Sequence, residues 1–123
     1  MSDLQGVVVC HGALAGALVD AVERVSGVKG VLIPVSNTGC DRGALEERIV
    51  EAVGDRATLV FVDMPSGSCL IAALARLRAR PDVRVVTGVN LAMLVDFVFH
   101  LSQTPDAAAA RAAAAGERAI KVP

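Results

Sequence analysis

Four short apolar runs, each closed by small or polar residues and followed by a stretch of helical periodicity, constrain this chain more than any other feature. The first run is Gly6-Val7-Val8-Val9-Cys10. It has no polar face, so it fits a strand covered on both sides. Residues 13–26 then carry Leu14, Leu18, Val22 and Val25 at helical spacing and end near Gly27. Residues 29–35 read as a second strand. Asp41 reads as the N-cap of a helix whose stripe is Leu45, Ile49 and Val53 and which ends at Gly54. Residues 57–63 form a third strand, and Leu70, Leu74 and Leu77 mark the helix after it. Pro81-Asp82 breaks that helix before a fourth strand at 83–86. A strongly apolar helix is expected over 90–101. Thr104-Pro105 opens another, with proline suited to its first position. The alanine-rich segment 107–115 is expected to be ordered helix, ended by Gly116, and residues 119–122 have the pattern of a last strand. Four strand–helix units imply a parallel sheet with helices on both faces.

The length, 123 residues, suits one domain spanning 1–123. Apolar residues make up 54% of the chain but aromatic ones only 2%, so the core must be built from Val, Leu, Ile and Ala. Twelve basic residues against thirteen acidic ones are scattered and leave a net charge of −1, which argues against a nucleic-acid footprint. No run approaches the length of a membrane span, and no basic region followed by an apolar stretch marks a signal peptide, so a cytoplasmic protein is expected. Cys10, Cys40 and Cys69 lack paired metal-ligand spacing and read as reduced, mostly buried thiols; no metal or cofactor is expected.

In a parallel sheet all strands end along one edge, where open α/β folds bind ligands. The first strand delivers His11-Gly12 there, the second Ser36-Asn37-Thr38-Gly39, the third Asp63 and then Ser66-Gly67-Ser68, and the fourth Thr87-Gly88 with Asn90 just after. A histidine on a rigid strand end, with small neighbours, suits a nucleophile or proton carrier; its bland reading is a satisfied strand-end side chain. Asp63 reads equally as a helix cap or, if the third strand lies beside the first, as the acceptor that fixes the His11 tautomer and frees the other ring nitrogen. Ser66-Gly67-Ser68 opens a helix whose unsatisfied N–H groups suit an anion, although the same segment would serve as an ordinary helix start. His11, Asp63 and Ser68 lack the G-x-S-x-G elbow of a hydrolase. His100 reads as structural at a helix end, and Arg76 and Arg80 as a solvated helix face.

Three segments, Val7–Gly12, Val62–Cys69 and Gly88–Leu94, in this order and at these distances, resemble the EIIA domain of the mannose family of the sugar phosphotransferase system. The resemblance runs nearly end to end. It implies a three-layer α/β fold with four parallel strands in the order 2-1-3-4, helices on both faces, and a C-terminal antiparallel strand exchanged in a homodimer. It implies that His11 is phosphorylated by phospho-HPr, that Asp63 orients it, and that Gly12, Ser66, Gly67 and Ser68 hold the phosphoryl group, with Ser36, Asn37 and Asn90 as a candidate rim. An EIIB domain would receive the group, in peripheral association with a membrane permease complex. Ser66 and Cys69 depart from the family's Gly-Gly-Ser-Pro pattern, and Ala92 stands where many members have proline. Three alternatives stay open: the phosphoryl-transfer subunit of a dihydroxyacetone kinase, a regulatory protein read through its phosphorylation state, and an anion-binding α/β domain without catalysis.

Overall fold

The computed structural model describes residues 3–123. Its elements alternate as the apolar runs require. They are β1 Gln5–Cys10, α1 Leu14–Ser26, β2 Leu32–Ser36, α2 Arg42–Val53, β3 Thr58–Val62, α3 Ser68–Leu77, β4 Val83–Thr87, α4 Leu91–Val98 and α5 Pro105–Arg118. The four strands form one parallel sheet in the order β2-β1-β3-β4. Every residue of β1 and β3 is buried, as expected of the two central strands. Pro34 lies within β2, which is tolerable because β2 is an edge strand.

Side-chain alternation divides the core in two. Val8, Cys10, Leu59 and Phe61 face one cluster with α1, α4 and α5. Val7, Val9, Val60 and Val62 face the other with α2 and α3. Phe61 and Phe97 meet edge-to-face in the first cluster, with centroids 5.1 Å apart and planes at 67°. Beside them Gly6 has no room for a side chain: a Cβ there would lie 2.5 Å from Leu32 Cδ2 and 3.0 Å from the Phe97 ring. The sheet and α4 approach this closely because the position is glycine.

One expectation fails at the carboxyl end, and a second finds no counterpart within the single chain. Gly116 does not end the last helix; α5 continues to Arg118. It is buried where α5 crosses α4, and a Cβ there would meet Met93 Cε at 2.7 Å. The glycine therefore serves close helix packing. Residues 119–122, read as a last strand, form none and join no sheet edge. The helix takes up the segment before them, and Ile120 and Val122 stand exposed. Their alternating pattern finds no strand partner within the chain. The second strand and the helix expected over 90–101 are also shorter than predicted, beginning at Leu32 and ending at Val98.

The Phe61–Phe97 contact makes a direct test of the first core cluster. Phe97→Ala should cost about 3–5 kcal/mol in urea unfolding, from lost transfer energy plus a cavity the rigid sheet cannot close. A loss below about 1 kcal/mol would show that the cluster is not packed as described.

Candidate active site

In the order β2-β1-β3-β4 the chain leaves β1 toward β2 on one side, while β3 flanks β1 on the other. This is the topological switch point, where the loops part and leave a crevice at the carboxyl edge. His11 follows β1 and Asp63 follows β3, and the register pairs Val9 with Val62. The two residues therefore emerge side by side.

Asp63 Oδ2 accepts the His11 backbone N–H at 2.9 Å and lies 2.8 Å from His11 Nδ1. An ionised carboxylate can only accept, so Nδ1 carries the proton, and in the neutral ring Nε2 keeps its lone pair. The His11 side chain is 41% exposed and that of Asp63 only 10%. The ring is thus open to an incoming group while its acidic partner is held in the protein. Burial acts to raise the Asp63 carboxyl, but the His11 backbone N–H, the ring hydrogen bond and the ring's charge outweigh it and hold the group below its ordinary value.

The peptide after His11 is gripped from the other side. Gly12 adopts φ +59°, a left-handed conformation that favours glycine. Its N–H donates to Asn37 Oδ1 at 3.0 Å, and its carbonyl accepts from Ser36 Oγ at 2.7 Å. The Asn37 N–H in turn donates to the Cys10 carbonyl at 3.2 Å. Ser36 and Asn37 are therefore braces of the histidine loop, with their polar atoms turned to Gly12.

Helix capping sets α1 and α3 apart from the other helices. Asp41, Asn90 and Thr104 cap α2, α4 and α5 with side-chain oxygens. The two helices that follow His11 and Asp63, α1 and α3, have no side-chain cap. At α3 the capping position is Gly67, with φ +95°, and Ser66, Gly67 and Ser68 are all exposed. N–H groups without a side-chain acceptor, at the positive end of a helix dipole, are what an anion needs.

The family profile described as "PTS system fructose IIA component" matches residues 5–115. The chain belongs to the mannose-type EIIA family of the phosphotransferase system. The PTS system sorbose-specific EIIA component of Klebsiella pneumoniae is 32% identical over 91 residues, covering 72% of this chain and 67% of that protein. Among solved structures, the mannose/sorbose specific IIA subunit of the phosphotransferase system from Enterococcus faecalis superposes with a TM-score of 0.86 at 20% identity, over 99% of this chain and 96% of that one. The phosphotransferase system component EIIA from Streptococcus agalactiae gives 0.89 at 18% identity, over 97% and 96%. These structures share the four-strand parallel fold.

Several residues of this EIIA chain are placed otherwise than their sequence position suggests. Asn90, expected at the rim, is committed to packing: its Oδ1 caps Met93 N at 2.9 Å and its Nδ2 donates to the Gly116 carbonyl at 3.2 Å. Arg76 and Arg80 do not form one free face. Arg76 pairs with Glu47 at 2.6 Å, whereas Arg80 lies beyond α3 and clasps Asp82 and the Gly54 carbonyl. His100 Nδ1 lies 2.7 Å from the Asp96 carbonyl and is structural, as expected. Arg42, which the sequence reading did not single out, lines a cleft of about 240 Å³ with Asn37, Cys40 and Ser68. Sequence reasoning also missed that Cys69 Sγ reaches within 3.8 Å of His11 Nδ1.

The three thiols should react unequally. Burial, with Asp63 and Cys69 nearby, pushes Cys10 up to about 12. Burial and Asp63 also raise Cys69, while Cys40 is half-buried at the surface. A disulfide-exchange reagent at neutral pH should modify Cys40 first and reach Cys10 and Cys69 only on unfolding, since the thiolate is the reactive form. Rapid modification of all three in the native protein would contradict the burial described.

Proposed function

We propose that His11 is a phosphoryl relay, charged by phospho-HPr and discharged to an EIIB domain, in the cytoplasm and at a sugar permease. The observation that carries this reading is the pairing of a buried Asp63 carboxylate with Nδ1 of a half-open ring. That arrangement suits Nε2 to attack phosphorus in line with the departing ring nitrogen of the donor. As the Nε2–phosphorus bond forms, the bond to the donor ring breaks and positive charge passes from that ring to His11. Asp63 already stands at 2.8 Å to stabilise it.

The transferred oxygens need donors that require no rearrangement. The exposed hydroxyls of Ser66 and Ser68 and the N–H groups opening α3, which have no side-chain cap, would take this role, and Gly67 would let the backbone approach. Gly12, braced by Ser36 and Asn37, keeps the ring from swinging away. A phosphorylated imidazole suits a relay because its phosphorus–nitrogen bond remains reactive, whereas a serine ester would hold the group.

Incubation with phosphoenolpyruvate, enzyme I and HPr should add one acid-labile phosphoryl group by intact mass, and none to His11→Ala. Asp63→Asn should fold normally yet slow transfer by about 10²–10⁴-fold, because an amide no longer enforces the required tautomer. Transfer at the normal rate in that variant would reduce Asp63 to a strut. Anion binding that survives His11→Ala without any covalent phosphate would favour a non-catalytic binding domain.

A further inference from the structure

Three donor atoms of three chemical kinds converge where the relay histidine sits. His11 Nδ1, a carboxylate oxygen of Asp63 and Cys69 Sγ all lie within 4.8 Å of one another. They come from the ends of β1 and β3 and from the first turn of α3, so each is held on a regular element or directly beside one. Nδ1 is 2.8 Å from Asp63 Oδ2 and 3.8 Å from Cys69 Sγ. A tetrahedral zinc ion with bonds of about 2.0–2.3 Å separates its ligands by roughly 3.3–3.6 Å. The two separations from Nδ1 lie within about half an ångström of that range, and the Asp63 oxygen and Cys69 Sγ, at most 4.8 Å apart, would close by up to about an ångström to share one ion.

A second observation concerns the other oxygen of the same carboxylate. Asp63 Oδ1 is the one buried side-chain oxygen or nitrogen without a hydrogen-bond partner among the described residues, on a side chain nine-tenths buried. An orphaned carboxylate oxygen is costly unless a donor or a cation meets it. The donor set of nitrogen, oxygen and sulfur excludes magnesium and calcium, which take oxygen, and selects a thiophilic divalent ion such as zinc or cobalt.

We propose that His11, Asp63 and Cys69 form a three-ligand site for a thiophilic divalent cation, and that occupancy switches the histidine off. The chemistry balances simply. The Cys69 thiol loses its proton to solvent as its sulfur bonds the metal. The Nδ1 lone pair takes the metal, so the ring proton moves by way of water to Nε2. Nε2 then carries a hydrogen and has no lone pair with which to attack phosphorus. The fourth metal position is filled by water, since only three protein ligands are present.

The inhibitory part rests on the relay reading above; the binding part does not. Cobalt added to the chelator-treated protein should give the thiolate-to-metal charge-transfer band of a tetrahedral site with one-to-one stoichiometry. Cys69→Ser should abolish that band, and Cys69→Ser and His11→Ala should each weaken zinc binding in equilibrium dialysis by at least about tenfold. Circular dichroism confirms that each variant is folded. Stoichiometric zinc should then block transfer from purified phospho-HPr, a chelator should restore it, and the block should be lost in Cys69→Ser relative to that variant's own metal-free rate. Absence of the charge-transfer band, or zinc affinity unchanged in Cys69→Ser, overturns the site. Failure of the metal-free protein to accept phosphate while cobalt still binds overturns the switch and the relay but leaves the site.

Discussion

One carboxylate oxygen receives two donors from a single residue. Asp63 Oδ2 takes both the backbone N–H and the ring Nδ1 of His11. The backbone bond fixes where the histidine leaves its strand, and the ring bond fixes which nitrogen faces outward. Neither would form if β3 were not the parallel neighbour of β1 in the observed register. The sheet order is therefore part of the chemistry, since any other neighbour would bring a different side chain to the imidazole.

The packing explains why this arrangement holds its shape. β1 and β3 are buried along their whole length between two helical layers, so their ends move little. The mobile choices are confined to loops, and those are pinned individually: Gly12 by Ser36 and Asn37, and the second loop by Arg48, which donates to the Ser36 and Thr38 carbonyls. The end of the sheet that lacks side-chain caps on α1 and α3 is the same end that presents the half-open ring. The carboxylate that faces this ring has its other oxygen, Asp63 Oδ1, without a hydrogen-bond partner among the described residues.

Much of this was legible in the chain. Runs without a polar face announced the central strands, and Asp41 and Thr104 cap helices where their spacing predicted. Asp63 was ambiguous because an aspartate after a strand serves equally as a cap; only the strand register decides, and that is a non-local fact. Asn90 caps α4 through Met93 N, a local bond, whereas its second bond, to the Gly116 carbonyl, depends on α5 lying against α4 and is invisible in the sequence. Gly116 looked like a stop because glycine weakens isolated helices, whereas here the neighbouring Met93 leaves no space for anything larger. Cys69 read as a buried hydrophobe, and it is buried, but burial beside an imidazole and a carboxylate gives a thiol a second possibility.

The central claim is that the carboxylate holds the ring proton on Nδ1 and leaves Nε2 bare. Long-range proton–nitrogen correlation spectra of the uniformly labelled, metal-free protein read this directly. His11 should show a protonated Nδ1 and an unprotonated Nε2 in its neutral form, and should lose that preference in Asp63→Asn. A ring protonated on Nε2, or a tautomer ratio indifferent to the substitution, would contradict the account.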